Sequence, residues 1–419
     1  MGYQSTMLSK RLAAIVLFAF LPLMAAAAPA GANFKFERQW VVGGQPSSLD
    51  LDAAGNAYVS IIGDQIIAFD TTGEETTRWG SFGIGNGQFN LIGGVAIDRT
   101  DNLLYASEAT GDRIQKFTLD GDFIQKWGTT GFDPGQLRGP QGIATAPNGT
   151  IYTAEVGNDR VQHFGDAGSQ LNIWGSLGYE DATQFDNPRA IAVGPNGHVF
   201  VGDQAGRIRE FDANGTFIKR FGEQDPTDVD GLDDGGFGPV RGVYALAVDS
   251  SGLIYAVDRE YDRIQVFRPN GTFLAKIGST GSAAGRFDEP VDVAIGSNNR
   301  MYVAERENNR VQVFSTAGLR PKSNFSFAGT TPNRKKGFTV LRVRVPKAGR
   351  VQLLASPRNR PATVRARGKS TVRLKVVPKG KSLRQLRQRK RLAIQVKVRF
   401  TPAGGPPRTK TSRVRLALR

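Results

Sequence analysis

The stretch GIATAPNGTIYTAEVGNDRVQHF at 142–164 carries the pattern that decides the fold. An apolar tetrad, a turn, a second apolar run and an acid lead into Arg-hydrophobic-Gln-x-Phe. The phrase recurs as GVAIDRTDNLLYASEATGDRIQKF at 94–117 and AIAVGPNGHVFVGDQAGRIREF at 190–211. It returns as ALAVDSSGLIYAVDREYDRIQVF at 245–267 and DVAIGSNNRMYVAERENNRVQVF at 292–314, with a degenerate first copy at 48–69. The residue closing the first tetrad falls at 52, 98, 146, 194, 249 and 296. The intervals are 46, 48, 48, 55 and 47, so one insertion lies between copies four and five. Each unit adds a fourth run, seen as FIQKWG, LNIWG, FIKRFG and FLAKIG.

Four short strands per repeat of about 45 residues is the layout of a propeller blade. A free outer strand would be an aggregation edge, so the ring has to close. Copy six supplies three strands and ends in RVQVFSTAG at 310–318. Residues 34–40, FKFERQW, match the missing fourth strand in type. The spacing therefore predicts an all-β, six-bladed β-propeller over 33–318, with the N-terminal strand completing blade six.

The triplets Gly-Gln-Phe (87–89) and Gly-Gln-Leu (135–137), the P-x-G-I-A run (140–144) and the repeated acid-x4-Arg-hydrophobic-Gln-x-Phe hairpin resemble the NHL-repeat family of six-bladed propellers. The resemblance spans 34–318 and implies a fold far more than an activity, since such propellers host unrelated functions.

The repeated acid–arginine pairs, Glu108/Arg113, Glu155/Arg160, Asp203/Arg207, Asp258/Arg263 and Glu305/Arg310, read as structural pins. A residue type present in nearly every blade holds the blade rather than one ligand, and an Arg fork suits a buried carboxylate. Asn-Gly-Thr at 148–150, 214–216 and 270–272 is a glycosylation sequon, but Asn-Gly is also the favoured hairpin turn. Function is sought where blades differ. The loops entering the innermost strands place Gln141, Arg189, Tyr244 and Asp292 against mostly small counterparts. The loops between second and third strands add Arg259, Tyr261 and Arg306. Together these seven are the candidate ligand-binding set at one channel mouth.

Metal chemistry finds little support. Asp228, Asp230 and Asp234 in the insertion are weak calcium candidates around a glycine turn, without a closing glutamate. No other cofactor is expected. With no cysteine and two histidines, neither a thiolate site nor a histidine zinc triad can form. The runner-up to a binding protein is a propeller lyase or lactonase with a carboxylate/amide metal site in the channel.

The formal net charge of +17 describes neither half of the chain. From Leu319 to Arg419 there are 30 Lys or Arg and no Asp or Glu, whereas 33–318 hold 23 basic and 38 acidic residues. From Phe325 the pattern becomes plain alternation, as in Leu392, Ile394, Val396, Val398 and Phe400. This predicts a small antiparallel β-sandwich over 325–419, joined by a 319–324 linker. It resembles, more weakly than the propeller does, the basic C-terminal β-domains of exported actinobacterial-type envelope proteins. Arg384, Arg387, Arg389, Lys390 and Arg391 are its candidate polyanion-binding residues. Few aromatics are available for base stacking, so acidic envelope polymers are favoured over nucleic acid.

At the N-terminus, Lys10 and Arg11 precede an apolar run from Leu12 to Met24 and the small residues around Ala28-Pro29-Ala30. That is the layout of a secretory signal peptide over 1–30, with an apolar stretch short of a membrane span. The expectation is an exported binding protein, secreted or held at the cell envelope. Its propeller would recognise a protein or glycan, with no membrane span after cleavage.

Overall fold

The computed structural model describes residues 34–178, 180–222, 234–237, 242–319, 325–333, 335–346, 348–402 and 408–418. Residues 1–30, expected to be a signal peptide, linker residues 320–324 and the calcium candidates Asp228 and Asp230 lie outside the described residues. No helix among the described residues is long and apolar enough to cross a membrane.

The repeats fold into six antiparallel four-stranded sheets, the first comprising Pro46–Leu51, Ala57–Ile61, Gln65–Phe69 and Glu75–Trp79. Each runs in sequence order except the last. There Pro290–Ile295, Arg300–Glu305 and Arg310–Ser315 are completed by Lys35–Val41 from the start of the described chain. The pairing is antiparallel, Trp40 opposite Val311 and Val41 opposite Arg310. The innermost strands adjoin in cyclic order, with Pro46–Leu51 beside both Ile92–Asp98 and Pro290–Ile295, so the ring is closed. Second and third strands are buried over nearly all their length, as Ile151–Glu155 illustrates, because neighbouring blades cover both faces.

An aromatic interlock repeats around the ring. A Cβ on Gly121, where φ is +95°, would lie 2.7 Å from the Trp79 ring of the preceding blade. Gly168 stands in the same way to Trp127, and Gly215 to Trp174. Gly73 of blade one meets Trp40, so the N-terminal strand occupies the place of an ordinary fourth strand. Trp40, Val311 and Val313 share one apolar cluster with Leu49, Leu51 and Phe69 of blade one.

The acid–arginine pairs are buried pins with a wider reach than a single hairpin. Arg160 Nε donates to Glu155 at 2.9 Å, while its terminal nitrogens donate to the carbonyls of Phe132, Asp133 and Gln136 in the loop leaving the previous blade. Arg113 holds the carbonyls of Ile84, Gly85 and Gln88 in the same manner, and Arg310 those of Ser282, Ala283 and Arg286. The motif glutamine completes each knot, as Gln162 Nε2 donates to Glu155 at 2.7 Å. Blade four departs from the rule. Its glutamine is replaced by Arg209, fully buried, which shares the Asp203 carboxylate with Arg207.

The described residues of 325–418 form two facing sheets with one apolar core. A three-stranded sheet orders Ser326–Asn333, Phe338–Val345 and Ser370–Val376. A four-stranded sheet orders Ala362–Ala366, Gly349–Leu353, Arg391–Pro402 and Arg408–Ala417. Period-two alternation sends Ile394, Val396, Val398 and Phe400 inward and leaves Gln395, Lys397 and Arg399 exposed. Phe325 and Phe400 are core residues. The basic run after Lys379 forms one helix, Gly380–Arg389, on which Arg384, Arg387 and Arg389 are exposed, as are Lys390 and Arg391 beyond it. Arg387 and Arg389 sit in its last turn, where cations suit the helix dipole.

Candidate functional site in the central channel

The six innermost strands enclose a cavity of 570 Å³. Its wall is built of small residues for a steric reason. At Gly142 an added Cβ would approach the Arg189 carbonyl oxygen to 2.3 Å, and at Gly94 the Gln141 carbonyl oxygen to 2.7 Å. Adjacent inner strands nearly touch at this level, and the next inward position is Ala in five blades. Larger polar side chains can enter only at the ends of the strands or where a seam has room for them.

Gln141, Arg189, Tyr244, Asp292 and Arg306 all line this cavity, from four different blades, the last two from blade six. The Arg189 guanidinium lies over the Tyr244 ring at 5.2 Å, and that of Arg259 at 4.7 Å. Two cations on one ring hold the tyrosine in place and keep the guanidinium groups at this end of the channel. Arg306 Nε is buried without a hydrogen-bond partner among the described residues. Arg259 and Tyr261, expected at the mouth, are not part of the lining. Arg259 is ion-paired with Glu289, and Tyr261 is covered by the Arg263 guanidinium at 5.2 Å. Both belong to the loop between the second and third strands of blade five, in which Arg259 is buried.

Asp292 is turned away from the open channel into the seam between blades six and one. Its Oδ2 accepts from Ser48 Oγ at 2.7 Å and from the Leu49 N–H at 2.8 Å, and its Oδ1 from the Val293 N–H at 2.8 Å. Ser48 Oγ in turn accepts from the Val95 N–H of blade two at 3.1 Å. Asp50 extends the same device, accepting from the Ile97 N–H at 2.8 Å and from Arg99 at 2.9 Å. Sequence reasoning passed over Asp50, although it was legible as the one acid where other blades carry Ala96, Ala144, Ala192, Ala247 and Ala294.

Burial raises the Asp292 carboxyl from its ordinary 3.8 to about 7, against the pull of its three hydrogen bonds, with the Asp50 charge adding to the rise. The folded state therefore holds this proton more tightly than the unfolded chain. The resulting stability is full below the unfolded pKa and is lost as pH rises towards 7. The group contributes at most about 4 kcal/mol to that fall. Urea midpoints at pH 5 and pH 8 should differ less for Asp292→Asn than for the natural chain. An unchanged difference would show that Asp292 is not the titrating group.

Asp234, the described member of the calcium set, pairs with Lys276 at 2.9 Å. Among the described residues no group of three or more His, Asp or Glu is placed to hold a metal ion. His163 stacks on Tyr152 at 4.0 Å and burial lowers its pKa, while His198 Nδ1 lies 2.6 Å from Glu210 Oε1.

The NHL repeat family profile matches residues 137–164 and 287–314, so blades three and six carry NHL repeats. Each match runs from the Gly-Gln-Leu-type loop through the pinned third strand. No curated protein matched the chain. Among solved structures, selenomethionine-substituted virginiamycin B lyase from Staphylococcus aureus is similar at 14% identity and TM-score 0.47, covering 67% of this chain and 99% of that one. A streptogramin B lyase structure is similar at 13% identity and TM-score 0.47, covering 67% and 97%. Hydrazine synthase from Kuenenia stuttgartiensis is similar at 15% identity and TM-score 0.47, covering 66% and 96%. Nothing about the activity of this chain follows from them.

Proposed function

We propose that the protein is an exported, non-enzymatic binding protein of the cell envelope. Its propeller recognises a polar ligand, a protein loop or glycan, at one end of the channel. Its cationic domain holds an acidic envelope polymer. The observation that carries the reading is the asymmetry of the ring. Gln141, Arg189 and Tyr244, at the starts of three inner strands, meet Arg306 from the blade-six loop at one cavity whose inward positions are mostly small. Tyrosine and arginine are the side chains most often found to dominate binding energy. An amide, an aromatic face and guanidinium groups suit a carboxylated saccharide. Against the lyase or lactonase reading stands the use of Asp292, whose Oδ2 staples blade six to blade one through Ser48 and Leu49 while its Oδ1 accepts from the Val293 N–H.

The test is calorimetric titration of the full chain with tri-galacturonate, followed by mass analysis of the saccharide. Binding should weaken about ten-fold in Tyr244→Ala and in Arg306→Ala, with the saccharide recovered intact. Binding indifferent to both variants would refute the channel as the site, and a cleaved saccharide would make the protein an enzyme.

A further inference from the structure

The cationic domain has two exposed basic surfaces, the helix and the outer face of the four-stranded sheet, and register separates them. On the sheet, Arg350 stands directly opposite Arg365 across one strand pair. Gln395 faces Arg413 and Lys397 faces Thr411 across another. Arg399 lies opposite Gln352 on one side and Thr409 on the other. Arg350, Arg365, Lys397, Arg399, Arg413 and Arg415 are all exposed, and none of their charged side-chain groups has a hydrogen-bond or ion-pair partner among the described residues. Neighbouring strands lie about 4.8 Å apart and alternate residues about 6.8 Å apart along a strand. The six cations therefore form a continuous grid with Thr and Gln between them. Like charges directly opposite one another destabilise a sheet, and Arg342 opposite Arg373 repeats the arrangement on the second sheet. No Asp or Glu anywhere in 319–419 relieves the repulsion. The helix offers less, with its cations along one short rod.

We propose that the outward face of the four-stranded sheet, rather than the helix, is the docking surface for a linear phosphodiester polymer without bases, of the poly(glycerol phosphate) kind. The inference rests on the polyanion half of the proposed function and locates it. Guanidinium forks pair with phosphate oxygens bidentately, and the interleaved Thr hydroxyls and Gln amides add donors to the same oxygens. The face carries no aromatic side chain, so there is nothing on which a base could stack. A polymer lying across the strands would meet a cation at nearly every step and screen the Arg350–Arg365 repulsion.

The experiment titrates the full chain with poly(glycerol phosphate) across a salt series, beside two triple variants of equal charge change. Arg350→Glu with Arg399→Glu and Arg413→Glu should weaken binding at least ten-fold and flatten its dependence on salt. Arg384→Glu with Arg387→Glu and Arg389→Glu should cost less than about three-fold, the share of a general charge effect. If the sheet triple fails to fold, the same three positions changed to Gln give the comparison against a helix Gln triple. Equal weakening by both triples would leave polyanion binding standing and overturn its location. No binding by the natural chain would overturn both. Tighter binding of single-stranded oligothymidylate at equal charge would make this a nucleic-acid surface and refute the proposal.

Discussion

A chain lacking residues 34–44 is expected to lose a single cooperative melt, or to melt at least roughly 10 °C below the full chain, and to aggregate on heating. Removing Lys35–Val41 strips the outer partner from Arg310–Ser315 and leaves an exposed strand edge. It also removes Trp40, whose ring lies 5.9 Å from Phe69 and 6.2 Å from Tyr302, and the 2.5 Å ion pair between Glu37 and Arg300. Trp40→Ala alone should destabilise by about 3–5 kcal/mol, the usual loss for a buried tryptophan. At roughly 2–4 °C for each kcal/mol, that variant accounts for much of the shift. Calorimetry with light scattering checks both effects. A truncated chain that melts with the full one would mean the ring is closed by something other than this strand.

The fold was legible because the repeat supplies the same information several times. Four apolar runs, turn glycines and the Arg-x-Gln-x-Phe hairpin each point to one blade, and the missing fourth strand of the last copy points to residues 34–40. The alternation 392–400 likewise fixed which face of the tail domain is buried. The site was legible only in part. Sequence position singled out Gln141, Arg189, Tyr244, Asp292 and Arg306, because they break a near-symmetric pattern, and all five line one channel. It did not reveal the direction of each side chain. Asp292 points into a seam, and Arg259 is held back by Glu289, because those orientations depend on partners dozens to hundreds of residues away. The outward cation grid needed strand register, which alternation alone leaves undetermined.

Glu155→Ala should cost about 3–5 kcal/mol, whereas Glu75→Ala, which also breaks an acid–arginine pair, should cost no more than about 1 kcal/mol. The contrast follows from burial. Glu75 and Arg78 are 43% and 35% exposed and can return to water when separated. Glu155 is fully buried and satisfies four donors at once, from Arg160, Gln162, Asn158 and the Arg138 N–H. Its loss strands a buried guanidinium and also loosens the loop that Arg160 ties to Phe132, Asp133 and Gln136. Hydrogen exchange should therefore rise at 129–138, in the loop leaving blade two, as well as in blade three itself. Glu155→Gln keeps the shape and one acceptor, and should fall between the natural chain and the alanine variant. Equal losses for Glu75→Ala and Glu155→Ala would contradict the pin, as would exchange confined to the hairpin 155–160. In that case the repeated pair would be a decoration of each blade and not the joint between one blade and the next.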